Sequence, residues 1–372
     1  MRDPSQHILF VATEYESGMR PYASAIIHAM WQPGDQVLIV YKRDDYLHDF
    51  DDLPAHCITW ISYPATKISK ACFRLRPARV IRAIEQLIAG RDISLVYSLT
   101  EELVLATSVT RLQRLCPLLY TVHDAIHHDV KFNSLIAWVK DRLLMALPQR
   151  HMLRHCRHIV TNSHEQLTLI ERNYPDHEVH YAPFPTLVND DILNGKARVQ
   201  ELEGVDDGYL LFFGNLHLYK GVHLLYETYL AHPELRRRPL VIAGSGYIYF
   251  ERRNHEQGVI FINRYIDDSE MGDLFSRAAV VVYPYTSATQ SGVTSIASYY
   301  GKPMVLSDLP FFKQTCEGCE GVYFFPSGDV EALAAAVFQA LDSPGTSTRP
   351  LFDREYSPQA LRAALSAIIA KV

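Results

Sequence analysis

Cysteine is sparse in this chain: 372 residues carry six, at positions 57, 72, 116, 156, 316 and 319. Thiols so few and so scattered give no disulfide framework and suit a reducing compartment. Long apolar runs are missing too. No stretch approaches the ~18 to 20 apolar residues that cross a bilayer, and the charged start MRDPSQ leads into one short run, so neither a span nor an export signal is expected. The expected location is cytoplasmic. There is no repeat of fixed short period and no low-complexity segment. A basic excess is absent as well: 36 Lys and Arg against 42 Asp and Glu leave a net charge of −6, which argues against a dedicated nucleic-acid partner.

Apolar residues make up 48% and charged residues 21% of the chain, enough to bury large cores, and its length predicts two domains of roughly 150 to 200 residues. Charge is unevenly spread. Residues 61–160 hold 15 Lys and Arg against 7 Asp and Glu, an excess of +8, while the rest of the chain carries −14. An anionic surface is the expected partner of that half. Within it, residues 67–90 and 131–158 interleave Lys and Arg with Leu, Ile, Phe and Trp138. Such segments suit helices lying on a membrane, and equally core-packed helices with solvated basic faces.

Short runs apolar throughout recur between longer helical patterns: His7 to Ala12, Gln36 to Tyr41, Ile93 to Ser98, Pro117 to Val122 and His158 to Thr161, then Tyr209 to Phe213, Leu240 to Ala243, Val259 to Ile262, Val280 to Tyr283 and Pro303 to Leu306. Such runs fit strands covered on both faces of a parallel sheet. The fold class is therefore α/β, with two Rossmann-like doubly wound domains. Expected bounds are 1–185 for the first domain, 186–207 for an Asp- and Gly-rich linker, 208–352 for the second domain and 353–372 for a C-terminal helix able to cross back.

Three loops at inferred strand ends carry the chemistry. In LLFFGNLHLYKGVHLL, residues 210–225, a strand runs into Gly214 and Asn215, and His217, Lys220 and Gly221 precede a helix. Glycine permits the turn, a helix start offers free N–H groups, and Lys adds a full positive charge, together an outline for a pyrophosphate. An ordinary strand-to-helix turn uses the same residue types. VIAGSGY, residues 241–247, places Gly244, Gly246 and Tyr247 after the next strand. AVVVYPY then breaks into TSATQSG, so that Thr289, Gln290, Ser291, Gly292 and Val293 open another helix, either as anion donors or as a plain cap by Ser291. In the first half, Gly18 follows the first strand, and His123 and Asp124 end the strand of LLYTVHDAIHHD. Ser163, in IVTNSHEQ, reads as a helix cap. The Cys316–Cys319 pair lacks a second pair at zinc spacing.

As an ordered set, FG…YKG, IAGSG, VVVYPY and TQSGV…GKPMVLSD resemble the donor domain of family 4 GT-B glycosyltransferases, retaining enzymes of bacterial polysaccharide biosynthesis; the resemblance covers roughly residues 209–310. It implies two domains facing each other across a cleft, with a nucleoside-diphosphate sugar as substrate, UDP ahead of GDP as its nucleotide, no cofactor and no metal. It implies that Lys220 neutralises the leaving diphosphate, that the helix after TQSG binds the same phosphates and that the base lies near Gly244 to Tyr247. His123 would approach the donor sugar or the acceptor hydroxyl as a catalytic group, with Gly18 and Asp124 on the acceptor side. A lipid-linked or saccharide acceptor at the inner face of a membrane is the matching expectation. Two departures stand out. Asn215 occupies the place where many members carry Arg, and Ala288 and Ile296 occupy the places of a usual Glu pair. They leave open a non-catalytic GT-B subunit supporting a partner transferase. A GT-B sugar-nucleotide epimerase ranks below both, for want of a carboxylate pair.

Overall fold

Runs of β-branched and aromatic residues form strands here because both of their faces find cover. In the computed structural model, which describes every residue except 1, 3, 4, 17, 65, 67, 68, 70–72, 74–76, 101, 102, 124–145, 254, 255 and 288–291, the chain divides into two units, Met1–Pro185 with Pro358–Val372, and Thr186–Ser357.

The first unit contains β1 (His7–Tyr15), α1 (Met19–Met30), β2 (Gln36–Tyr41), β3 (Ile58–Ser62), α2 (Ala78–Gly90), β4 (Ile93–Ser98), α3 (Leu103–Ala106), α4 (Val109–Leu112), β5 (Leu118–Val122), α5 (Leu147–His155), β6 (His158–Thr161), α6 (His164–Asn173) and β7 (Glu178–Tyr181). Its strands order as β3-β2-β1-β4-β5-β6-β7, and every pair is parallel. Alternate residues of β1 serve opposite faces: Ile8 and Phe10 join one core with Ile26 and Ile27 of α1, while Leu9 and Val11 join another with Val80 and Ile84 of α2. That double demand explains the unbroken apolar run. Ser163 caps α6, its hydroxyl accepting from Gln166 N–H at 3.4 Å.

The second unit contains α7 (Asp190–Asn194), β8 (Tyr209–Phe213), α8 (Val222–Ala231), β9 (Leu240–Ala243), β10 (Val259–Ile262), α9 (Met271–Ser276), β11 (Ala278–Tyr283), α10 (Val293–Tyr299), β12 (Met304–Ser307), α11 (Pro310–Cys316), β13 (Val322–Phe325), α12 (Val330–Leu341) and α13 (Arg349–Glu355). Its six parallel strands order as β10-β9-β8-β11-β12-β13. Counted from its own first strand, this is the 3-2-1-4-5-6 order of doubly wound dinucleotide-binding folds. α14 (Pro358–Ile369) then returns to the first unit, burying Leu361, Leu365, Ile368 and Ile369 in the α1 face of that core.

Two boundaries differ from the sequence expectation. Residues 186–207 are no free linker: Ile192, Val199 and Leu202 are buried in the second unit's core, and the Asn189 side chain caps α7. The returning helix starts at Pro358, because α13 packs Leu351 and Phe352 into the second unit. Three strands, β3, β7 and β13, were not anticipated. Each ends its sheet and leaves most of its residues partly exposed, so none shows a fully buried run.

α2 and α5 turn Val80, Ile81 and Ile84, and Met152 and Leu153, into the core, leaving Arg79, Arg82, Arg150 and Arg154 outward. The residues these two helices bury are taken up by core packing, while Leu147, at the start of α5, is 46% exposed. Much of residues 67–76 and 131–145, including Trp138, lies outside the described residues. Among the described residues no helix is long and apolar enough to cross a membrane, and Cys57, Cys116, Cys156, Cys316 and Cys319 are free thiols.

Candidate nucleotide-sugar site

The strand order of the second sheet reverses between β8 and β11, and in open parallel sheets the crevice at such a switch point, beyond the carboxyl ends of the strands, is where ligands bind. The loop after β8 contains Gly214 to Lys220. A side-chain carbon built on Gly214 would lie 3.4 Å from Lys220 Nζ and 3.9 Å from Val293, so the first residue past β8, the loop lysine and the start of α10 converge on one point.

Lys220 is buried, 9% exposed, in a short 3-10 turn whose last residue, Gly221, opens α8. Gly221 has φ +64, and a Cβ there would sit 1.8 Å from the Pro284 carbonyl oxygen. Only glycine fits both the left-handed backbone and that approach. Lys220 Nζ donates to Tyr285 Oη at 2.8 Å and lies 4.7 Å from the centre of the same ring. Burial pulls the ammonium below the ordinary lysine pKa. Among the described residues, no carboxylate pairs with it.

The loop after β9 is pressed against the loop after β8. Gly214 N–H donates to Ala243 O at 3.0 Å, Leu216 N–H to Ser245 O at 2.9 Å, and the Ser245 hydroxyl to Asn215 Oδ1 at 3.2 Å. Gly244, at φ +142, would place a Cβ 2.1 Å from Gly214 O. Asn263, after β10, accepts from Gly246 N–H at 3.1 Å. These contacts hold three adjacent loops as one edge. Tyr247 stands 83% exposed beyond it, and the exposed His217 ring stacks on Tyr219.

α10 has seven residues, and the Tyr283 hydroxyl donates to Val293 O at 3.2 Å, fixing its start to β11. Gly292 precedes it in an ordinary right-handed conformation. Thr289, Gln290 and Ser291, the hydroxyl and amide donors expected there, lie outside the described residues, as does Ala288. Ile296 is buried in the core, 3% exposed, so no carboxylate is supplied from that position.

In the first unit, His123 follows β5 and is 5% exposed. Its Nε2 faces the Leu99 carbonyl oxygen at 3.1 Å; the carbonyl can only accept, so this nitrogen carries the proton. The ring meets Tyr22 edge-on with centroids 4.5 Å apart, and the Tyr22 hydroxyl donates to Asn162 Oδ1 at 2.8 Å. Leu99 follows β4 and Tyr22 belongs to α1, so His123 sits at this sheet's own switch between β1 and β4. Gly18 caps α1 at φ −64 and, among the described residues, nothing lies within 4 Å of an added Cβ, so neither conformation nor those neighbours require glycine there. Asp124 lies outside the described residues.

Sequence reasoning missed Tyr285, 65 residues from Lys220. It stands in the VVVYPY run, but only the parallel pairing of β11 beside β8 reveals its partner. Tyr22 and Leu99 were missed for the same reason.

Residues 17–185 match the glycosyl transferase 4-like domain, and residues 207–343 match the glycosyl transferases group 1 family. In tandem they cover most of the sequence. The chain belongs to the group 1, family 4-like glycosyltransferases. Among curated relatives of this glycosyltransferase, the O-antigen chain mannosyltransferase C of Escherichia coli is 28% identical over 159 residues, 40% of each protein. Glycogen synthase of Mycobacterium tuberculosis is 33% identical over 152 residues, 38% of this chain and 35% of the relative. The matched stretch thus spans 40% or less of those relatives' lengths. Among solved structures, Anabaena HepE in complex with UDP superposes with TM-score 0.70 at 15% identity, over 99% of this chain and 100% of HepE. That likeness shows the shared GT-B fold.

Proposed function

We propose that this glycosyltransferase moves a sugar from a nucleoside diphosphate, UDP in preference to GDP, to a hydroxyl of a lipid-linked or saccharide acceptor, with retention at the anomeric carbon and without a metal. The reading rests on Lys220: a buried ammonium, short of its ordinary pKa and, among the described residues, without a carboxylate partner, converges with Gly214 and the start of α10 at the sheet's switch point. A diphosphate supplies the missing negative charge. As the glycosidic bond breaks, charge grows on the leaving phosphate, and a fixed cation already in place stabilises it more than it stabilises the bound donor. A phosphate oxygen can then take the acceptor's proton.

HepE, solved with UDP, with UDP and glucose, and with UDP-glucose, supports a uridine donor. The O-antigen mannosyltransferase supports a polysaccharide acceptor. The outward Arg79, Arg82, Arg150 and Arg154 support a cytoplasmic enzyme working at an anionic membrane surface. A thermal-shift panel of UDP, GDP and ADP with their sugars tests the donor; a ligand at ~100 times its Kd stabilises by about 2.7 kcal/mol. Stabilisation by GDP above UDP overturns the base assignment.

A second reading, a non-catalytic subunit of a partner transferase, is favoured by Asn215 and by the buried Ile296 in place of basic and acidic groups. Nucleotide binding without hydrolysis or transfer by the purified chain, together with co-purification of an active transferase, would establish it.

A further inference from the structure

Strands β6 and β7 form one end of the first sheet, in the unit that does not contain Lys220. Their parallel register sets His158 opposite Glu178 and Val160 opposite His180. Side chains two apart on a strand share a face, so the pleat brings His158, Glu178 and His180 to the same side. One nitrogen from each imidazole and one carboxylate oxygen all lie within 4.8 Å of one another. His158 Nδ1 is 3.4 Å from Glu178 Oε2. Zinc bonds of about 2.0 to 2.2 Å to nitrogen and oxygen, in tetrahedral array, separate neighbouring ligand atoms by roughly 3.3 to 3.5 Å. Two of the three groups already stand at that spacing.

Their surroundings favour the same use. Arg157 Nη2 holds the other carboxylate oxygen, Glu178 Oε1, at 3.0 Å, leaving Oε2 turned toward His158. His158 Nδ1 and His180 Nε2 are both buried and, among the described residues, make no hydrogen bond.

We propose that His158, Glu178 and His180 bind one divalent cation of the zinc class, leaving a fourth position for water, and that the bound ion clips the edge strand β7 to β6. The role is structural: it rests on neither the transfer reaction nor the donor site. Among the described residues β7 has no neighbour on its outer side, and all four of its residues are partly exposed, so a cross-strand ligand set secures an element with little burial to hold it.

The test is calorimetric titration of chelator-treated protein with zinc chloride, followed by melting curves with and without the metal. One tight equivalent is expected, with a higher Tm. His180→Ala and Glu178→Gln should each weaken that step at least about tenfold, since loss of an outer-shell partner alone costs 10- to 100-fold, and should remove the Tm rise. The paired rings of His151 and His155 on α5, 4.4 Å apart, are the control. The proposal requires that His151→Ala leave the tight step intact. It is overturned if the step survives His180→Ala and Glu178→Gln, if it disappears with His151→Ala, or if no tight step exists. Metal-free melting shows that a variant folds, and Glu178→Gln, nearly isosteric, keeps the test decisive if His180→Ala does not.

Discussion

In the second unit the loops after β8 and β9 meet backbone to backbone, with Gly244 against Gly214 and Gly221 against the Pro284 carbonyl. Among the described residues of the first unit, side chains supply most of the joins at the matching edge. Thr100 Oγ1 accepts from the N–H groups of Thr13 and Glu14 at 3.1 and 3.3 Å, His123 donates to Leu99 O, and Gly18 stands in open space. Two sheets wound alike thus finish their ligand edges differently. Where backbones touch, sequence freedom is lost and the edge is fixed. Where side chains make the joins, substitution can reshape the edge.

The contrast is broken most sharply by Gly221→Ala. With a positive φ and a Cβ 1.8 Å from a carbonyl oxygen, it is expected to cost about 4 kcal/mol or more, read as a fall in the urea midpoint. A loss below about 1 kcal/mol would show that the loop yields.

Lys220→Ala comes next, lowering transfer by about 10²- to 10³-fold with the fold intact. Unchanged turnover would remove the lysine from the mechanism. The residue also sets a pH dependence. Its folded pKa lies below the ordinary 10.5, and a bound diphosphate favours the charged form, so UDP affinity should fall as pH rises through that depressed value, before pH 10.5. Lys220→Arg stays charged across the range. The ligand's own titration is common to both proteins, so their difference isolates the lysine. In the same window the unfolded chain binds the extra proton, so this group's contribution to stability rises with pH.

His123→Ala should cost about 1 to 3 kcal/mol by leaving the Leu99 carbonyl unpaired, yet leave the UDP-induced thermal shift unaltered. A lost shift would tie the two edges together. Smallest of all is Gly18→Ala, expected within about 0.5 kcal/mol of the parent in the same urea titration, because φ is −64 and the space is open.

The interior of both sheets was legible because strands such as LVIA and AVVVY must be apolar on every residue to be covered twice. EVHY escaped because an edge strand tolerates charge, and ITWIS because Thr59 and Ser62 interrupt its apolar run. Lys220 was legible from its glycine neighbours, whereas Tyr285, its partner, lies beyond any local pattern. Residues 186–207 were misread for a related reason. Ile192, Val199 and Leu202 are too widely and unevenly spaced to show a period, yet each reaches the core.

The return of α14 to the first unit has a consequence for biosynthesis. Leu361, Leu365, Ile368 and Ile369 complete the core that β1 and α1 begin, but they are made only after Thr186–Ser357. The unit translated first therefore waits for the unit translated second. While it waits, Ile26 and Ile27 lack part of their cover, and a chaperone has the opportunity to shield them.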